Sequence, residues 1–155
     1  MLRRLSGTLE VLAAALLLAA VALNFANVVA RYAFGRPIVT AEEILQYADV
    51  WIVMLAAAAV TGLNRHLNMD IVLQGAGPGL RRALEIGSAL LGAGLTLFVL
   101  VQGIRIVTEI HGMGQRSIAT GIPLWLVYLA IPIGFGAGLL FWLERLWVLL
   151  RNPAS

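Results

Sequence analysis

Four stretches of this chain, residues 9–34, 41–63, 83–110 and 124–150, are each long and apolar enough to cross a bilayer. A spanning helix needs about 20 mostly apolar residues. Inside hydrocarbon the backbone has to satisfy its own hydrogen bonds, which a helix does within one segment. The chain is therefore read as all-α, a single four-helix transmembrane domain over residues 1–155. Composition agrees: 61% of residues are hydrophobic and 12% charged, where soluble domains carry about 25% charge. The start, Met1-Leu2-Arg3-Arg4, resembles a signal peptide, but the apolar run behind it outlasts a signal core of about 7–15 residues. It is expected to persist as the first span.

Basic charge comes from arginine alone and is scattered at span ends. A nucleic-acid interface would want a basic cluster with stacking aromatics, so no nucleic-acid partner is expected; membrane lipid is. With Arg3, Arg4, Arg65, Arg81, Arg82, Arg145 and Arg151 on one side against Arg31, Arg36, Arg105 and Arg116 on the other, both termini are expected in the cytoplasm. The absence of cysteine removes disulfides and thiolate metal sites. There is no G-x-S-x-G, phosphate loop or metal-spaced carboxylate set. His66 and His111 fall on opposite membrane sides. No catalytic residue, substrate-binding residue, metal or cofactor is assigned, and the chain is not expected to be an enzyme.

Local signals punctuate the spans. Gly35-Arg36-Pro37 closes a first hairpin, and Thr40-Ala41-Glu42-Glu43 reads as a capping box opening the second helix. Ala56 to Ala59 permit close helix approach. Asn64 to Asp70 lead into a Gly/Pro-rich loop, with a short interfacial helix expected over 69–74. The third span carries Gly87, Ser88, Gly92 and Gly94 in one half, and Gln102, Arg105 and Glu109 in the other. Arg105 and Glu109, one turn apart, can pair on one face. In the fourth span Pro132 should bend the helix, and Gly134 and Gly138 form a G-x-x-x-G face. Trp125 and Tyr128 mark one interface, Trp142 and Trp147 the other. The Gly-x-Pro turns at 35–37 and 121–123 raise a possible tandem hairpin repeat.

Asp49 is the residue hardest to place. It lies about two turns inside an apolar stretch, where a charge costs roughly 2.5–3.5 kcal/mol on insertion scales and a short side chain cannot reach water. Asn24, Asn27 and Arg31 share one helix face, as do Glu42, Gln46 and Asp49. An antiparallel hairpin sets Arg31 near Glu42 or Glu43, and Asn27 near Asp49. Three readings follow: a self-satisfied seam that fixes hairpin register, a face presented to a second subunit, or a polar path through the chain. Whether the helices close into a bundle or splay is left open by the sequence.

The residues also carry a resemblance. Asn27-Val28-Val29-Ala30-Arg31-Tyr32-Ala33-Phe34-Gly35-Arg36-Pro37, then Glu42-Glu43 and a helix holding Trp51, is similar to the small permease subunit of tripartite ATP-independent periplasmic (TRAP) transporters, the DctQ-like family. The likeness continues through Arg65-His66-Leu67-Asn68-Met69-Asp70 and returns at Gly121-Ile122-Pro123-Leu124-Trp125 through Tyr128, Pro132 and Gly134, and at Glu144-Arg145. Leu67 and Met69 stand where the family more often has Ile and Val, and Gly77-Pro78-Gly79 where Leu-Pro is common. The resemblance implies a multi-pass protein of the bacterial inner membrane. It implies two partners: a large permease subunit holding the substrate and sodium sites, and a periplasmic substrate-binding protein delivering an organic acid. The small subunit would scaffold the large one, with Asn24, Asn27, Arg31, Glu42, Glu43, Gln46, Asp49, Arg105 and Glu109 as candidate structural or interface residues. The alternative is a stand-alone homo-oligomeric channel or exporter.

Overall fold

The apolar stretches fold as helices because no other single segment can satisfy its backbone in hydrocarbon. The computed structural model describes residues 2–62 and 77–151. Every regular element among them is a helix: α1 (Leu2–Phe34), α2 (Ala41–Gly62), α3 (Pro78–Gly112), α4 (Leu124–Tyr128) and α5 (Ala130–Arg151). Four spans result, with mean hydropathy between 1.7 and 2.2, α4 and α5 together making the fourth. α1 and α3 begin at Leu2 and Pro78, ahead of the apolar stretches at 9 and 83. Their leaders contain no interior proline, and Pro78 sits in the first turn, where its missing N–H costs nothing. The 35 residues of α3 make a rod of about 50 Å, longer than the roughly 30 Å hydrocarbon core. The expected 69–74 helix lies outside the described residues.

The spans stand in a row. α1 packs along α2, α2 against α5, and α5 against α3; α1 and α3, at the two ends, share no interface of comparable extent. The arrangement is thus splayed rather than a closed bundle. Its broad faces are apolar: Leu18, Phe25 and Leu91 are each 70% exposed. The shared core is small, joining Leu9 and Ala13 of α1, Leu55, Ala58 and Ala59 of α2, and Phe141 of α5. Between lipid-solvated helices close packing is the main attraction, and here it relies on short side chains. At Gly134 an added Cβ would lie 2.9 Å from the Met54 carbonyl oxygen, so α5 meets the α2 backbone itself.

The fourth span is interrupted at Leu129, between α4 and α5. Pro132 has no N–H to give the Tyr128 carbonyl, while Leu129 N–H still reaches Trp125 O at 3.0 Å and Ile133 N–H reaches Leu129 O at 3.2 Å. The proline therefore bends the span without ending it. The two Gly-x-Pro turns share a left-handed glycine, φ +64° at Gly35 and +69° at Gly121. They differ afterwards: α4 starts directly beyond Pro123, while α2 starts four residues after Pro37, at Ala41.

Candidate functional site

The polar residues gather on one side of the row, at the tips of the spans, where the first turn and the 113–123 loop lie together. Gly35, in the left-handed region, stops α1, and Arg36 N–H bonds back to Ala30 O at 3.1 Å. Pro37 follows, and Ile38 N–H then donates to Asn27 Oδ1 at 2.8 Å. Asn27 is only 5% exposed, so its amide serves as an internal acceptor that folds the turn against α1. Ala41 N–H bonds to Ile38 O at 3.0 Å and Ile44 N–H to Thr40 O at 3.1 Å, which places Thr40 at the start of α2. Across this turn Arg31 Nη2 meets Glu42 Oε1 at 2.9 Å, with both side chains largely exposed.

Glu43 does something local pattern reading did not anticipate. Its Oε1 accepts from the Tyr47 hydroxyl and from the Ser117 hydroxyl, and its Oε2 accepts from Thr120 N–H at 3.0 Å. The carboxylate is spent on the opposite hairpin, so the expected reciprocal capping box with Thr40 gives way to a tertiary contact. The receiving loop is built for the purpose. Ser117 N–H bonds to Ile122 O at 2.9 Å, and Leu124 N–H to Gln115 O at 3.1 Å. Since the Ser117 proton goes to Glu43, Thr120 Oγ1, 2.6 Å from Ser117 Oγ, acts as the donor between them. Thr120 N–H also reaches Ser117 Oγ at 3.1 Å. Beside this knot the His111 and Trp125 rings meet edge-to-face at 5.3 Å, tying the end of α3 to α4.

Glu43 therefore clasps the α1–α2 hairpin to the loop between α3 and α4. Tyr47, Ser117 and Thr120 were missed from sequence; the usable signal was a Ser117-x-x-Thr120 loop on the same membrane side as Glu43. Two pairings that the spacing permits are corrected. Asn27 caps Ile38 and does not reach for Asp49. Arg105 leans back to Gln102 Oε1 at 3.5 Å and does not pair with Glu109. Asn24, Gln46, Asp49 and Glu109 are exposed on the protein, and their side chains make no hydrogen bond or ion pair with another described residue. Chemically the junction is a set of satisfied hydrogen bonds without a nucleophile–base pair. Among the described residues no three His, Asp or Glu side chains are grouped to hold a metal ion.

Known proteins resemble the chain along most of its length. Residues 20–152 match the model of the DctQ component of tripartite ATP-independent periplasmic transporters. The ectoine TRAP transporter small permease protein TeaB of Halomonas elongata is 26% identical over 84% of this chain and 66% of its own length. The C4-dicarboxylate TRAP transporter small permease protein DctQ of Rhodobacter capsulatus is 28% identical over 64% of this chain. There the alignment spans only 44% of the relative's length. A putative TRAP transporter small permease protein of Haemophilus influenzae is 26% identical over 81% of this chain and 76% of its own. Four spans of the right hydropathy and a family match across residues 20–152 lead to one conclusion: the chain belongs to the DctQ-component family of TRAP transporters, and is a multi-pass protein of the bacterial inner membrane, a transporter component and not an enzyme.

Proposed function

We propose that this chain is the small membrane subunit of a TRAP transporter. It scaffolds a large permease subunit that takes up an organic acid coupled to an ion, sodium being the candidate, after a periplasmic binding protein delivers the solute. The match of residues 20–152 to the DctQ component carries this reading. The geometry supports it: four spans in a row form a wall, not a ring that could enclose a conduit within one chain. The Glu43 clasp joins the two hairpins so that the wall can act as one body. In this reading the domain is single, the termini lie in the cytoplasm, and the 113–123 loop faces outward beside the binding protein. No substrate-binding residue is assigned to the chain. A carboxylate solute is in keeping with the relative named for C4-dicarboxylates.

Affinity purification of the tagged chain from native membranes in mild detergent tests the proposal. Recovery of a large multi-span permease in stoichiometric amount is the expected result. Recovery of the chain alone, under conditions that keep other membrane complexes intact, would overturn it.

A further inference from the structure

One face of the α1–α2 pair combines a groove with intramembrane polar groups that no described residue satisfies. The groove, about 280 Å³, runs between Ala13, Ala14 and Leu17 of α1 and Ile52, Ala56 and Val60 of α2, with Glu10 also lining it. Its short side chains leave room for another helix to approach closely. Helical periodicity puts Asn24 and Arg31 of α1 on this same side, and Glu42, Gln46 and Asp49 of α2 likewise. The antiparallel register that sets Arg31 against Glu42 brings Asn24 level with Asp49. Arg31 and Glu42 neutralise each other, so the net charge of this band is that of Asp49. Lipid offers no donor at that depth, and an aspartate is too short to find water.

We propose that this face is the docking surface for a membrane-spanning helix of the large permease subunit. The incoming helix lies in the groove and presents a cation or amide donors level with Asp49. The commitment rests on the subunit role proposed above and on charge. A second copy of this chain, packed face to face about a two-fold axis, would set one Asp49 band against another and bury like charges together. A helix carrying arginine, lysine or side-chain amides satisfies Asp49, Asn24 and Gln46 at once. The outer face of α3 is apolar along its middle, where Leu91, Leu95 and Phe98 are 63–70% exposed, as lipid contact requires; the exposed charges Arg105 and Glu109 lie towards its C-terminal end.

The chain has no native cysteine, which makes disulfide cross-linking a direct test in the intact complex. Val21→Cys and Val53→Cys on the proposed face, and Phe98→Cys on α3 as the control, are paired with cysteines placed along the spans of the co-expressed large subunit. Cross-links from positions 21 and 53 and none from 98 are expected. Asp49→Leu should weaken retention of the large subunit about tenfold, given interhelical polar contacts of roughly 1–2 kcal/mol, and Asp49→Asn should restore part of it. Co-purification of the large subunit with cross-links only through position 98 overturns this surface while leaving the subunit role standing. Cross-linking of Val53→Cys to a second copy of the chain overturns it as well. Failure of the wild-type chain to retain any large subunit removes both proposals together.

Discussion

Gly134 and Gly138 look interchangeable in the sequence, yet alanine at the two positions should act in opposite directions. At Gly134 the new Cβ would lie 2.9 Å from Met54 O, 3.0 Å from Met54 Cβ and 3.2 Å from Met54 C. Two of these three are backbone atoms, which cannot rotate aside, so α5 must back away from α2 along the interface that joins the two hairpins. Overpacking of this kind costs about 1–3 kcal/mol. It is partly offset by the roughly 0.8–1.0 kcal/mol by which alanine exceeds glycine in a helix interior. At Gly138 the nearest atom is Thr96 Cγ2 at 3.7 Å, an ordinary contact, and only the favourable propensity term applies. The variants should therefore separate by about 1–3 kcal/mol, Gly138→Ala at or above wild type and Gly134→Ala below it. Thermal unfolding in one detergent, followed by intrinsic tryptophan fluorescence, reads the difference. Equal midpoints, or a reversed order, would refute the argument that backbone approach at Gly134 holds α5 on α2.

Other substitutions probe the junction. Glu43→Ala removes acceptors for the Tyr47 and Ser117 hydroxyls and for Thr120 N–H, so hydrogen exchange across 113–123 should accelerate while α1 is unchanged; equal protection would deny the clasp. Asn27→Ala, which strips the acceptor from Ile38 N–H at a site 5% exposed, should cost about 1–3 kcal/mol by thermal unfolding. Arg31→Leu, breaking a pair 48% and 73% exposed, should cost under about 1 kcal/mol in the isolated chain; the reverse order would show the ion pair, not the amide, holds the turn. Gly35→Ala places a side chain at φ +64° and should lower stability by about 1–2 kcal/mol.

What sequence reading reached and what it missed divide by distance along the chain. Spans were legible because hydrocarbon imposes length and apolarity on each segment independently. Gly35 and Pro132 were legible because glycine and proline act on their own backbone. Arg31 and Glu42 could be brought together because one short turn separates them. Glu43 and Ser117 are 74 positions apart, and the same glutamate fitted a local capping box equally well. Propensity could not decide between those two uses; only the packing of α2 against the second hairpin does. The Arg105–Glu109 pairing failed for a related reason, since helical spacing permits a contact without requiring it. The row arrangement was beyond sequence because all four spans are apolar on several sides, and periodicity then names no partner.

The most direct test of the account is solute flux in reconstituted vesicles. The purified chain alone should leave the membrane as tight as empty liposomes. If the proposed function holds, the same chain combined with the large permease subunit, the binding protein and an inward sodium gradient should restore uptake of the proposed carboxylate solute. Transport by the chain alone would contradict the proposal that it braces a transporter without itself being the path.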